Sequence, residues 1–363
     1  MKNCADYFLT TPQIPALNGI RAFAVFLVVF CHAGMPFLPA GLGVTLFFVL
    51  SGFLITLLLI REQREHQGIN VKAFYVRRTL RIFPAYFAFV AASFIADRLT
   101  GTYWSDGQLF SALTYTHNYY NAINDHPSIS TAHAWSLSIE EQFYLIWPFL
   151  FLALSNKDRS PTRFIAWTVL VIMGWRSFSF LYIFNTPSWA YNAFDSRADS
   201  LLIGCAFAYL VTNNNPLTSY LVSKTAWWHP FIIIVMAYYS NDEKLWHYTL
   251  GFTFESVLCG IFIFQMIALI RTHPWKWLEY RWVCWLGLIS YPMYLYHILA
   301  TRIAHKLVDG HIETLVLVVL LTIVLAACSY YILEIPFLRL KKRFELGGEH
   351  VQLPRIRPKH HAQ

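Results

Sequence analysis

An arginine and a histidine eleven positions apart are the first residues of this sequence that could do chemistry. Arg21 and His32 flank ten mostly apolar residues. A helix turns about 100° and rises about 1.5 Å per residue, so both side chains would share one face, roughly 16 Å apart. Such a stripe on a membrane helix must face protein or water, which predicts a functional site. The alternative is a snorkelling arginine beside a packed histidine.

A basic cluster follows between Tyr75 and Pro84. Arg77, Arg78 and Arg81 lie within about one helical turn of each other. Guanidinium groups bind oxyanions bidentately and keep their charge, so the cluster suits phosphates. A basic patch that sets membrane topology or touches anionic lipid is the alternative interpretation.

Two carboxylates open a later apolar segment. Glu140 and Glu141 come shortly after Trp135. Acidic side chains favour helix N-termini for purely structural reasons. The functional alternative is that one of them, by preference Glu140, orients the imidazole of His32 and raises its basicity for general-base catalysis.

Three further polar residues lie in apolar segments. Arg197 and Asp199 are two positions apart, so on a helix they cannot face each other and each needs another partner. An ion pair with a different helix and a contact with substrate are both open. His297 ends an aromatic sequence that contains Pro292, and packing is favoured over catalysis there.

The composition indicates a membrane protein. Of 363 residues, 56% are hydrophobic and 13% are charged, whereas soluble domains average about 25% charged. The net charge of +8 fits basic cytoplasmic loops better than nucleic-acid binding. No His/Cys set has metal-ligand spacing, and no G-x-S-x-G elbow is present, so the nucleophile is expected to come from the substrate.

The predicted fold is all-α, a polytopic membrane helical bundle of about ten transmembrane helices. The apolar segments are 17–36, 41–60, 83–97, 136–154, 163–184, 198–212, 226–239, 246–270, 283–304 and 312–333. The basic residues favour an N-in/C-in orientation. This orientation places the arginines inside and His32 with the carboxylates outside, and an apolar shaft is expected between the two groups.

Seven motifs occur in a fixed order along the chain. They are Arg21-x10-His32, Phe47-Phe-x-Leu-Ser51-Gly52, Tyr75-x-Arg77-Arg78-x-x-Arg81-Ile-x-Pro84, Trp135-Ser-Leu-x-x-Glu140-x-x-Phe143-Tyr144, Arg197-x-Asp199-x-Leu-Leu-x-Gly204, Ser290-Tyr-x-x-Tyr294-Leu-x-His297 and Glu334-x-Pro336. With this ordered set, the chain resembles the acyltransferase-3 family of integral membrane O-acyltransferases, which includes bacterial O-antigen and other glycan O-acetylases. The resemblance covers about residues 13 to 343.

The resemblance implies a ten-helix core, residues 1–343, that uses cytoplasmic acyl-CoA and modifies an acceptor at or beyond the outer face. A basic tail, residues 344–363, is predicted to be disordered. Some family members add an SGNH-type hydrolase domain after the core, and we expect this chain to act without one. We also expect an integral, multi-pass protein of the bacterial cytoplasmic (inner) membrane.

A mechanism follows from the residues and the resemblance together. The cluster Arg77, Arg78 and Arg81, with Tyr75 and helped by Arg21, would hold the phosphates of acyl-CoA. His32, oriented by Glu140 or Glu141, would act as general base on an acceptor hydroxyl, or as an acyl-His relay. Five residues are candidates for substrate contact or for polarising the carbonyl: Ser51, Tyr144, Arg197, Asp199 and His297.

No permanently bound cofactor and no metal are expected, and acetyl-CoA is the favoured co-substrate. The expected partners are a glycan or glycosylated acceptor and the lipid bilayer. A secondary transporter or exporter that uses the intramembrane charges is the alternative function.

Overall fold

Helices make up every regular element of the part of the chain that is described. The computed structural model describes residues 4–11, 14–155, 160–184, 186–213, 215–221, 244–269, 275–341 and 344. The all-α prediction is confirmed within these ranges. The helices are α1 Cys4–Thr10, α2 Pro15–His32, α3 Ala40–His66, α4 Val71–Leu99, α5 Asp106–Leu113, α6 His117–Ile123, α7 Trp135–Leu154, α8 Pro161–Phe178, α9 Pro187–Asn192, α10 Phe194–Thr212, α11 Pro216–Leu221, α12 Phe252–Leu269, α13 Arg281–Leu288, α14 Ser290–Leu307, α15 His311–Cys328 and α16 Ile335–Lys341.

Seven helical stretches in the described ranges are long and apolar enough to cross a membrane. An eighth is formed if α13 and α14, which are bent by 70° at Ile289, count as one span. These stretches confirm a polytopic membrane bundle. The predicted span 226–239 lies outside the described residues, as does the tail apart from Phe344. The count of ten and the N-in/C-in orientation stay predictions.

The largest difference from the predicted segments is the start of α4. The helix begins at Val71, twelve positions before the predicted segment. Its first turn is capped by Asn70, whose side chain accepts a hydrogen bond from the Ala73 N–H at 2.9 Å. An apolar-run criterion stops at the first charges it meets, so it left Arg78 and Arg81 outside the helix. They occupy its eighth and eleventh positions.

Two glycines allow α3 and α10 to cross closely near the site. A methyl group built on Gly52 would lie 1.9 Å from the carbonyl oxygen of Leu201, and one on Gly204 would lie 2.1 Å from that of Val49. No larger residue fits at either position without moving backbone. The Ser-Gly pair at 51–52 therefore brings Ser51 to a fixed place beside this crossing.

The outer face of α15 shows how the bundle meets lipid. Ile312, Val316, Leu320 and Val324 recur every fourth position and are 74%, 51%, 53% and 55% exposed. On the opposite face every fourth residue from Thr314 to Ala326 is buried. An exposed apolar stripe on one side and a packed stripe on the other is the pattern of a helix between lipid and protein.

The segment between α4 and α7 forms a small polar cap that contains α5 and α6. His117 bonds Ser111 Oγ through Nδ1 at 2.9 Å and Thr131 Oγ1 through Nε2 at 3.2 Å. The imidazole is fully buried, and this burial lowers the pKa of His117 to about 4. The cap is therefore held together around a neutral histidine.

Candidate active site

A cavity of about 90 Å³ lies where α2, α3, α4, α7, α13 and α14 meet. Most of the predicted site residues reach its wall. Those lining it are Arg21, Ser51, Arg78, Arg81, Glu140, Glu141 and Tyr144. Three guanidinium groups face two carboxyl groups there, so the cavity carries an excess of fixed positive charge.

A hydroxyl–carboxylate pair forms part of the cavity wall. Ser51 Oγ donates to Glu140 Oε1 at 2.8 Å, which links α3 to α7. On the neighbouring side the Arg78 guanidinium lies 3.6 Å from the centroid of the Tyr144 ring. A cation over an aromatic face is held in place without using its N–H donors. The donors of Arg78 thus stay available for an anion in the cavity.

The basic cluster divides between two environments. Arg77 pairs with Glu62 at 2.7 Å and donates to the carbonyl oxygen of Phe344 at 3.1 Å. Tyr75 donates to the carbonyl oxygen of Leu145 at 2.6 Å. Neither of these two residues lines the cavity, although both were predicted beside Arg78 and Arg81.

The predicted apolar shaft between the basic and acidic groups is wrong. Arg21, Arg78 and Arg81 share one cavity with Glu140 and Glu141. Arg21 is the seventh residue of α2 and Glu140 the sixth of α7, so each lies well inside its helix. The helices bring both charge types to one internal polar cavity, which keeps them from lipid.

His32 stands apart from the cavity and is not paired with Glu140. It ends α2 and is exposed. Its Nδ1 lies 2.9 Å from the carbonyl oxygen of Val28. A carbonyl can only accept, so Nδ1 carries the hydrogen and Nε2 has a free lone pair. A backbone carbonyl therefore does the orienting that was expected from a glutamate.

A second histidine links His32 to the cavity. The ring centroid of His297 is 5.0 Å from that of His32 and 5.5 Å from that of Tyr294. Tyr294 lines the cavity and bonds Ser136 Oγ at 2.7 Å. His297 is thus a buried residue that packs between His32 and Tyr294.

Sequence reasoning missed His133. Its ring centroid is 4.7 Å from that of His297. It stands immediately before the Ala-Trp-Ser sequence that opens α7, and this neighbourhood was the only available signal. A single histidine just outside an apolar segment has no periodic partner in the sequence, so its place beside His297 emerges only from the fold.

Arg197 and Asp199 face other helices. Asp199 forms a fully buried ion pair with Arg176 of α8 at 2.8 Å and accepts from Thr253 Oγ1 at 2.6 Å. Arg197 stacks 3.7 Å from the Phe252 ring centroid and donates to Thr45 Oγ1 at 3.2 Å. Neither lines the cavity. Of the two interpretations of Asp199, the structure therefore agrees with an ion pair to a different helix.

Comparison with known proteins identifies the class. A family model described as an acyltransferase domain, Acyl_transf_3, matches residues 14–334. The chain belongs to this acyltransferase-3 family of membrane proteins. No solved structure matches it.

Several bacterial relatives are similar over most of the chain. A Staphylococcus aureus (strain COL) protein provisionally named as an O-acetyltransferase is 32% identical over 89% of this chain and 57% of its own length. A Bacillus subtilis (strain 168) protein, YrhL, provisionally named as a peptidoglycan O-acetyltransferase, is 31% identical over 89% of this chain and 54% of its own. The peptidoglycan O-acetyltransferase OatA of Listeria monocytogenes is 27% identical over 93% and 57%. The chain spans just over half the length of these relatives.

Proposed function

We propose that this protein is a membrane O-acyltransferase that moves an acetyl group from cytoplasmic acetyl-CoA to a hydroxyl of an extracytoplasmic glycan. The observation that carries the proposal is the shared cavity of Arg21, Arg78, Arg81 and the Ser51–Glu140 pair, in a chain whose relatives are named O-acetyltransferases. Peptidoglycan is the acceptor class that two of those names favour. The family and its relatives favour transfer over the transporter alternative.

The size of the cavity supports a proposal for which part of the donor it holds. Pockets that hold a whole drug-sized ligand measure about 300–1,000 Å³, whereas this cavity has about 90 Å³. The volume favours the acyl thioester end over the nucleotide as the occupant. In this proposal Arg21, Arg78 and Arg81 hold the thioester carbonyl, whereas the sequence predicted that they hold phosphates.

The positive charge of the cavity favours the proposed acetyl transfer. When a hydroxyl attacks a thioester, negative charge develops on the carbonyl oxygen, and preorganised donors aimed at that oxygen stabilise the transition state. Arg78, held over Tyr144, supplies such donors. The Ser51 hydroxyl lies at the same wall but donates its hydrogen to Glu140, so Arg78 is the oxyanion donor in this proposal.

The acceptor is deprotonated from the other side. His32 donates its Nδ1 hydrogen to the carbonyl oxygen of Val28, and its Nε2 lone pair is free. A general base requires such a lone pair. The His297 ring lies beside that of His32, and the His297 centroid is 5.5 Å from that of Tyr294 at the cavity wall. A covalent acyl-His32 relay uses the same nitrogen as a nucleophile.

Mass spectrometry of cell-envelope glycans tests the proposal. Cells that lack this protein are complemented with wild type, with His32→Ala or with His66→Ala, a change of an exposed histidine at the end of α3. We expect wild type and His66→Ala to restore an O-linked acetyl group and His32→Ala not to restore it. Envelopes that are unchanged in every strain, with the protein present in the membrane, would refute the proposal.

A further inference from the structure

Another histidine, His126, lies near His32 on the loop between α6 and α7. Burial lowers the pKa of His126, a hydrogen bond to Asn192 offsets part of this, and the charge of His32 lowers it further. The imidazole of His126 is therefore neutral at neutral pH. Its side chain is only partly buried, so a ligand can reach it.

The backbone holds His126 in an unusual conformation. Asp125 and His126 follow one another with φ angles of 53° and 50°, in the left-handed region. Residues other than glycine adopt this region rarely. Such strain persists only where the surrounding structure enforces it, and it is common at ligand sites. The turn thus gives the His126 ring a fixed position.

An asparagine fixes the tautomer of His126. Nδ1 of His126 lies 2.8 Å from Oδ1 of Asn192, whose Nδ2 donates to the carbonyl oxygen of Ser188 at 2.8 Å. Nδ1 therefore carries the hydrogen, and Nε2 has a lone pair. The amide nitrogen of Asn121 is further away, at 3.5 Å, and donates to the carbonyl oxygen of Ala132 at 2.8 Å. Nε2 of His126 has no hydrogen-bond partner in the described part of the chain.

Two aromatic rings lie next to His126. The ring centroid of Tyr191, in α9, is 5.6 Å from that of His126 and 4.6 Å from that of Trp135. Trp135 immediately precedes Ser136, which lines the cavity. Tyr191 is partly exposed, and its hydroxyl has no hydrogen-bond partner among the described residues. A basic nitrogen and a hydroxyl, both available for a ligand, thus lie on adjacent rings near His32.

These groups match the chemistry of a sugar. Ligand sites combine aromatic surface with a few placed polar groups that fix the orientation of the ligand. A neutral imidazole nitrogen accepts a hydrogen bond from a hydroxyl, and a phenol hydroxyl can donate or accept. A carboxylate or phosphate would fit poorly, because the Nε2 lone pair of His126 offers it no donor and neither ring carries a positive charge.

We propose that His126 and Tyr191 bind the acceptor sugar beside His32. Nε2 of His126 accepts a hydrogen bond from one sugar hydroxyl, the Tyr191 hydroxyl bonds a second, and the reacting hydroxyl is held at Nε2 of His32. This subsite rests on the proposed function. It applies to the general base and to the acyl-His32 relay alike, because the acceptor hydroxyl must reach the same nitrogen in both.

Acceptor kinetics test the subsite. Full-length protein in proteoliposomes is given labelled acetyl-CoA and soluble peptidoglycan fragments as the acceptor probe. Tyr191→Phe removes only the hydroxyl, and we expect the KM for the fragments to rise about three- to tenfold, the loss of one neutral hydrogen bond. The kcat and the KM for acetyl-CoA should stay within about twofold of wild type, because the lost bond forms in the ground state and in the transition state. Tyr182→Phe, which changes an exposed tyrosine after α8, should match wild type.

A second variant removes the lone pair and keeps the backbone of the turn. Asparagine adopts the left-handed region readily, but its side chain is too short to place an acceptor where Nε2 of His126 lies. We expect His126→Asn to raise the KM for the fragments about tenfold with little change in the KM for acetyl-CoA. A rise in both KM values would indicate a packing defect. That result, or an unchanged KM for the fragments in both variants, would overturn the subsite.

Fragment binding without acetyl-CoA separates the subsite from the reaction. We expect the wild type to bind labelled fragments more tightly than Tyr191→Phe and His126→Asn, by factors similar to those in KM. Equal Kd values for the three proteins would overturn the subsite. A wild-type protein that binds the fragments but acetylates nothing would refute the proposed function and leave the subsite standing, and one that does neither would overturn both.

Discussion

Ser51 and Glu140, 89 positions apart in the chain, are joined by a hydrogen bond of 2.8 Å from the serine hydroxyl to the carboxylate. Both residues line a cavity that three arginines also line. A carboxylate that accepts from a hydroxyl holds that hydroxyl in one orientation. The pair therefore sets the geometry of the wall against which the thioester would lie.

Replacing Glu140 by glutamine tests this pair. The amide oxygen can still accept from Ser51, so we expect normal folding. We expect acetyl transfer to slow by up to about 100-fold, because a neutral amide forms a weaker hydrogen bond than a carboxylate and holds Ser51 less firmly. Transfer of labelled acetyl and thermal unfolding in detergent measure the two effects. Ser155→Ala, which removes a hydroxyl at the far end of α7, is the control. Wild-type rates for Glu140→Gln would contradict the role.

Neighbouring arginines should behave differently. Arg78 lines the cavity and stacks on Tyr144, whereas Arg77 is engaged by Glu62 outside it. We expect Arg78→Ala to lower kcat/KM for acetyl-CoA by about 100-fold, the loss typical of one oxyanion donor. Arg77→Ala should stay within about threefold of wild type. Steady-state kinetics of both variants measure this difference. Equal losses of kcat/KM would argue that all the arginines form one phosphate-binding cluster.

The ion pair of Arg176 with Asp199 predicts a stability effect. Both side chains are fully buried, so Arg176→Met leaves an uncompensated carboxylate and should lower the free energy of unfolding by about 3–5 kcal/mol. The double variant Arg176→Met/Asp199→Leu removes both charges and should recover part of that loss. Unfolding in detergent, followed as a double-mutant cycle, measures the coupling. Additive losses would mean that the pair is not coupled.

The polar cap should weaken in mild acid. Burial lowers the pKa of His117 to about 4, while an unfolded histidine titrates near 6.5. Between these values the unfolded cap binds more protons, so its stability is complete above about pH 6.5 and falls as the pH drops toward about 4. The loss amounts to about 3 kcal/mol.

Hydrogen exchange of residues 106–131, corrected for the intrinsic rate at each pH, measures this loss. His117→Gln removes this titration but keeps His126, whose pKa burial also lowers, so its profile should fall less steeply than that of wild type across the same window. Equal slopes for wild type and variant would count against the assignment.

Residue types and order were enough to predict much of the site. Arg21, Ser51 and Glu140 belong to motifs recognisable along the chain, and all three line the cavity. The sequence could not divide Arg77 from Arg78. Adjacent residues on a helix differ by about 100° in direction, and only the position of α4 in the bundle decides which one faces the cavity.

Long-range partners were the other limit. The sequence predicted that Asp199 needs a partner other than Arg197, with an ion pair to another helix as one possibility. Nothing in the sequence identifies Arg176, 23 positions away, as that partner. His32 was assigned a glutamate, whereas its own helix supplies the carbonyl of Val28. Every residue has a backbone carbonyl that can accept a hydrogen bond, so no residue pattern predicts that His32 bonds the one of Val28.

The bend between α13 and α14 limits which substitutions the surrounding cavity can accept. Leu288 and Ser290, on either side of the 70° bend at Ile289, both line the cavity. Lipid tolerates interrupted helices only where they border protein or a polar space. Substitutions that filled this cavity with apolar side chains to gain stability would remove the polar surroundings that permit the bend. The cavity and the bend in the backbone are therefore expected to change together or not at all.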